Sequence, residues 1–109
     1  MASQNKKSLS AVVATGPGAA VDTLGTEVVS MHVIASAVTT GGTVKLQGSS
    51  DNTNWSDLAT RTVSANGTTT DTVTVAVKWI RANVTARTDG TYTVWLTTGG
   101  YGQANWNTD

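Results

Sequence analysis

β-Branched side chains dominate this chain: of its 109 residues, 21 are Thr and 14 are Val. Both types carry two heavy atoms on Cβ, are stiff at χ1, and suit a pleated surface better than a helix. There is a single Glu, and no segment sustains an apolar period of 3.6 residues. Strands are therefore the only regular element this sequence supports at length.

The apolar pattern agrees, because it alternates with the period of a half-buried strand. Val44 and Leu46 alternate with Lys45 and Gln47. Val73, Val75 and Val77 alternate with Thr72, Thr74 and Ala76. Ile80, Ala82 and Val84 alternate with Trp79, Arg81 and Asn83, and Tyr92, Val94 and Leu96 with Thr91, Thr93 and Trp95. Strands are expected over 9–15, 26–38, 43–49, 55–64, 68–77, 78–86 and 91–97, with a short edge segment over 18–24. Breaks fall at Gly16-Pro17-Gly18, Gly41-Gly42 and Asp51-Asn52-Thr53-Asn54. Asn66-Gly67 and Asp89-Gly90 read as hairpin turns, since both residues of each pair tolerate positive φ. Turn signals every ~8–12 residues predict an all-β fold, an antiparallel β-sandwich of seven to eight short strands, jelly-roll or immunoglobulin-like. The expected layout is a flexible N-terminal arm over 1–8, a sandwich domain over 9–97 and a C-terminal arm over 98–109.

Charge is sparse and balanced. Charged residues make up 13% of the chain and the formal net charge is +0, against about 25% charged in an average domain. Such a surface has no field of one sign to draw in nucleic acid or an anionic membrane, and Lys6-Lys7 reads as part of a solvated arm. Cysteine is absent, so neither disulfides nor thiolate metal sites hold the fold. Residues 1–8 lead into only a short apolar run, Leu9 to Ala14, too short for a secretory segment. The neutral polar surface of Thr, Ser, Asn and Gly meets a neighbour with little charge to desolvate, which favours packed assembly.

Catalytic constellations are missing from the pattern. A nucleophile relay needs a base, and the one histidine, His32, lies mid-strand, where a structural or interface role is expected. The acids Asp22, Glu27, Asp51, Asp57, Asp71, Asp89 and Asp109 form no dyad in sequence and fall mostly at turns, where Asp bonds backbone. Gly16-Pro17-Gly18 lacks the helix and the Lys-Ser/Thr of a phosphate loop. Asp51-Asn52-Thr53-Asn54 with Asp57 holds oxygens but no bidentate Glu, and reads as an Asx-rich turn rather than a calcium loop. A non-enzymatic protein without metal or cofactor is expected.

The aromatic residues are the candidate contact groups. Trp79 and Trp95 fall opposite the Val/Ile/Leu set and are read as protein-interface residues, as are Tyr101 and Trp106 on the C-terminal arm. Trp55, after the Asp51 turn, is expected to plug one end of the sandwich.

The stretch Gly42-Thr-Val-Lys-Leu-Gln-Gly-Ser-Ser-Asp-Asn-Thr-Asn-Trp55-Ser-Asp-Leu58, followed by Lys78-Trp-Ile-Arg-Ala-Asn-Val-Thr85, resembles small bacteriophage virion proteins of β-sandwich type. Discoidin-like and carbohydrate-binding sandwiches carry similar patterns. They place a Gly in the Asp turn where this chain has Asn52-Thr53, so their ligand residues do not carry over. The resemblance implies a virion structural role, capsid decoration (cement) or tail accessory, with assembly in the host cytoplasm. The implied partners are copies of the chain itself, as a trimer or ring, and the major capsid or other virion proteins, with no nucleic acid or membrane. The alternative is a carbohydrate-binding module stacking sugar on Trp79, Trp95 or Tyr101.

Overall fold

The structure is a computed structural model that describes residues 4–99. Nine strands follow one another: β1 (Gln4–Val12), β2 (Gly16–Pro17), β3 (Val21–Asp22), β4 (Val28–Ser36), β5 (Gly42–Ser49), β6 (Ser56–Val63), β7 (Gly67–Thr74), β8 (Trp79–Arg87) and β9 (Thr91–Gly99). They form two antiparallel sheets, one ordered β1-β9-β4-β7 and the other β2-β8-β5-β6, with β3 also pairing β8. First pairs with last and the nesting continues inward: β1 with β9, β2 and β3 with β8, β4 with β7, β5 with β6. This is one long antiparallel hairpin rolled into a double sheet, the jelly-roll solution rather than the immunoglobulin one.

The alternation read from the sequence fills the space between the sheets. Val29, Met31, Val33 and Ala35 of β4 and Tyr92, Val94 and Leu96 of β9 meet Val44 and Leu46 of β5 and Ile80, Ala82 and Val84 of β8. Met31, Leu46, Ile80 and Leu96 are wholly buried; each such side chain contributes about 1.5–3 kcal/mol on leaving water.

Two corrections concern the connections. Asn66-Gly67 and Asp89-Gly90 do not close hairpins: β6 and β7 lie in different sheets, as do β8 and β9. Both are arches that carry the chain across the sandwich, and β5–β6 is the hairpin. The positive φ of Gly67 and Gly90 (145° and 106°) serves an arch as readily as a two-residue turn. What decides is where the turn side chains bond. Asn66 Oδ1 accepts the backbone N–H of Val38 (2.8 Å), and the Asp89 carboxylate accepts those of Thr39, Thr40 and Gly41 (3.0, 2.9 and 2.8 Å). Four consecutive N–H groups of the β4–β5 arch are thus satisfied by side chains of the other two arches. Gly41 adds a further tie, since its carbonyl accepts Thr88 N–H at 2.9 Å. At φ 107° it lies so close that a Cβ there would collide with the Val63 carbonyl.

β1 begins at Gln4, so residues 4–8 of the expected arm are strand. Lys6 and Lys7 stand opposite Leu96 and Trp95 of β9. Ser8 is buried, with its hydroxyl bonding the Ala19 carbonyl at 2.8 Å and accepting Ala82 N–H at 3.0 Å. A polar residue that reads as solvated is thus a buried connector between β1 and the other sheet. β9 runs to Gly99.

Backbone N–H donation, led by Thr40 and Thr39, holds the Asp89 carboxyl below its ordinary value. The unfolded chain therefore takes up the proton first, so this stabilisation is full above the unfolded value of about 3.9 and is lost as pH falls through the folded one. Asp89→Ala is expected to lower the thermal midpoint at pH 7 by more than Asn66→Ala, because more N–H groups lose their acceptor. The gap between wild type and Asp89→Asn should narrow below about pH 4; thermal scans across a pH series check both. In the core, Leu46→Ala should cost about 2–5 kcal/mol, measured by denaturant unfolding.

Candidate functional site

The outer face of the four-stranded sheet presents an aromatic residue amid polar ones that are neutral apart from Lys7. Directly opposed residues on antiparallel strands point to the same face, and the register builds two cross-sheet rows. The first runs Lys7–Trp95–His32–Thr70 from β1 through β9 and β4 to β7. The second runs Asn5–Thr97–Ser30–Thr72. Within them His32 Nδ1 and Thr70 Oγ1 share a hydrogen bond of 2.9 Å, Ser30 Oγ and Thr72 Oγ1 one of 2.8 Å, and Thr97 Oγ1 donates to Asn5 Oδ1. Lys7 Nζ sits 5.1 Å from the Trp95 ring centroid, within cation–π range. Asn5, Ser30, His32, Ile34, Thr70, Trp95 and Thr97 line a shallow groove of about 540 Å³ that holds no carboxylate. Trp95 and Ile34 are 36% and 38% exposed, and these are the apolar surfaces the face offers.

The outer face of the five-stranded sheet carries the other two described tryptophans, in a different setting. Arg81 lies with its guanidinium 4.2 Å from the Trp55 ring centroid and donates from Nε to Gln47 Oε1 at 2.9 Å. The same oxygen accepts Asn83 Nδ2 at 3.2 Å, and Gln47 Nε2 donates to Asp57 Oδ1 at 2.9 Å. Lys45 closes the chain on Asp57 Oδ2 at 2.8 Å. Hydrogen bonding from Lys45, then from Gln47, holds the Asp57 carboxyl below its usual range. Trp79 is half-buried under Lys78, whose Nζ is 5.4 Å from the ring and 2.7 Å from Asp22 Oδ2. Trp55 therefore covers an outer face and does not plug the core.

Trp79 and Trp95 do turn away from the core, as their alternation predicts, but on opposite faces of the sandwich, so they cannot belong to one contact patch. Tyr101 and Trp106 lie outside the described residues. Of the neighbours that make Trp95 a site, His32 reads from sequence as a structural or interface residue, but Lys7, Ile34 and Asn5 carry no such signal. Alternation gives each residue's face, but only the β1–β9–β4 register brings them together, and no local signal encodes that register.

Asp51 and Asp71 are likewise engaged in side-chain bonds. Asp51 Oδ1 accepts N–H groups of Thr53 and Asn54 and the Ser49 hydroxyl, and its Oδ2 accepts Asn54 Nδ2, all within 2.7–2.9 Å. Donation led by the Asn54 backbone drives this carboxyl far below its ordinary value. This is the expected Asx-rich turn, with Asn52 at φ 61°. Asp71 pairs bidentately with Arg61, at 2.9 Å from Nε and 2.7 Å from the terminal nitrogen, joining the edges of the two sheets.

No protein-family model matches the chain, and no curated protein matches it in sequence. Among solved structures it is similar to the crystal structure of SPBc2 prophage-derived protein YomS, with a TM-score of 0.59 at 11% identity. The likeness covers 91% of this chain and 96% of that one. At this identity, what the two chains share is the fold.

Proposed function

We propose that the protein is a non-enzymatic structural component of a phage particle, a capsid decoration (cement) protein that self-associates and stabilises the particle. The observation carrying this reading is the four-stranded face. Its hydroxyl, amide and imidazole groups are already paired across strands, and its groove holds no carboxylate. Such a face is suited to docking flat against another protein at little cost in charge desolvation, with Trp95 and Ile34 as anchors. The prophage origin of the structural neighbour supports a phage setting. In this reading the protein resides in the virion, assembles in the host cytoplasm, and contacts its own copies and the major capsid protein.

A second reading, a carbohydrate-binding module, draws on Trp95 at the edge of a groove rich in hydroxyls. It is weaker, because Lys7 lies over the Trp95 ring and the hydroxyls that a sugar would need are engaged with one another.

Co-sedimentation with heads assembled from the major capsid protein of the same genome tests the proposal. Trp95→Ala is expected to weaken binding by about thirtyfold, the equivalent of the ~2 kcal/mol of an interface hot spot, with little change in thermal midpoint. Trp79→Ala is the control on the other face. Deleting residues 100–109 should also weaken binding, and unchanged binding would remove that segment from the mechanism. Sugar-dependent quenching of Trp fluorescence that disappears in Trp95→Ala would replace the virion reading with the carbohydrate one.

A further inference from the structure

A sandwich has edges, and an unpaired strand edge is a template for another strand unless it is blunted. Three of the four edge positions here are blunted. β1 is interrupted by register shifts between Lys7 and Leu9 and between Leu9 and Val12. It also carries two lysines, and its Ser8 carbonyl accepts Ala19 N–H at 2.8 Å. β2 and β3 are two residues each, with Pro17 in the first. β6 bears a bulge where Asp57 and Ala59 face consecutive residues of β5.

β7 is different. Its pairing with β4 runs without a shift from Gly67 to Thr74, it has no Pro or Lys, and its one charge, Asp71, is neutralised by Arg61. The direction of its free groups follows from one bond beyond the strand, in which Val75 N–H donates to the Glu27 carbonyl at 2.8 Å. Antiparallel residues alternate between bonding the partner strand and bonding away from it. Val75 bonds towards β4, and so do Val73, Asp71 and Thr69. The N–H and C=O groups of Thr68, Thr70, Thr72 and Thr74 therefore point out of the sheet edge.

We infer that β7 is a strand-pairing edge whose occupant is β7 of a second copy, joined antiparallel about a twofold axis to make one continuous eight-stranded sheet. The argument for a second copy is self-complementarity. A twofold centred on Thr70 sets Thr70 against its own copy and Thr68 against Thr72, an all-Thr row of cross-strand pairs. The same register places Asp71 opposite Thr69, so the two carboxylates do not face each other. Isologous closure of this kind stops at the dimer and leaves no open β7 edge for further growth. The inference stands on the edge geometry and holds whether or not the virion reading does.

Sedimentation equilibrium of the full chain, over a wide concentration range, tests it alongside Thr70→Pro. Proline removes an outward-pointing N–H that β4 does not use, so it is tolerated on an edge. The wild type is expected to dimerise, and Thr70→Pro to raise the dimer dissociation constant by about tenfold or more while circular dichroism and thermal midpoint of the monomer persist. If Thr70→Pro fails to fold, amide exchange in the wild type decides. Thr68, Thr70 and Thr72 should gain protection with concentration, whereas Thr69 and Asp71 should be protected throughout. A wild type that stays monomeric, a dimer unaffected by Thr70→Pro, or an even-numbered Thr row whose exchange ignores concentration would each overturn the inference.

Discussion

Four backbone N–H groups in a row, from Val38 to Gly41, set the condition on which this sandwich rests. They sit in the arch between β4 and β5, where no neighbouring strand can accept them, and orphaned donors there would be costly. Asn66 and Asp89 supply the acceptors, each from another arch at the same pole. Because the chain changes sheets at every connection from β3 to β9 except β5–β6, the sheets' own ladders cannot fix how the arches lie. Side chains borrowed across arches do so instead. Tyr92 reinforces the arrangement by donating its hydroxyl to the Asp89 carbonyl at 2.7 Å from a fully buried ring.

The same two residues show how far the sequence could be read. Asn66-Gly67 and Asp89-Gly90 announce backbone that needs positive φ, and the glycines do adopt it. The dipeptides do not say whether the chain turns back on itself or crosses over. That depends on the distant N–H groups their side chains meet. Face assignment was legible nearly throughout, since Ile80, Ala82 and Val84, and Tyr92, Val94 and Leu96, are all buried as alternation requires. The β1 boundary was not, because Lys6 and Lys7 pair with β9 while staying exposed, and Ser8 looks solvent-bound until Ala19 and Ala82 bond its hydroxyl. Trp95 could be placed outward from sequence. Its companions could not, because they arrive from strands far apart in the chain.

The two outer faces divide the surface chemistry between them. The five-stranded sheet holds a connected set of charges, in which Lys45 and Gln47 donate to Asp57, Arg81 and Asn83 both donate to Gln47, and Arg81 stacks on Trp55. The four-stranded sheet is nearly free of charge and stitched by hydroxyl and amide pairs. A partner meeting the first face must accommodate a preformed ionic lattice. A partner meeting the second finds a polar surface on which Lys7 lies over a partly exposed Trp95.

The nested pairing also dictates how the chain can come together in time. β5 and β6 meet across a short turn, with Gly48 facing Ser56, whereas Asn5 must find Thr97, 92 positions away. The entropic cost of closing a loop grows with its length, and long-range pairing slows folding. Loop closure therefore favours pairing that starts at the β5–β6 tip, with the β1–β9 pair carrying the largest closure cost among the described strands. A covalent link between Gln4 and Thr98, which are already Cα partners, would turn the longest-range strand pairing among the described residues into a local one and remove most of its closure cost.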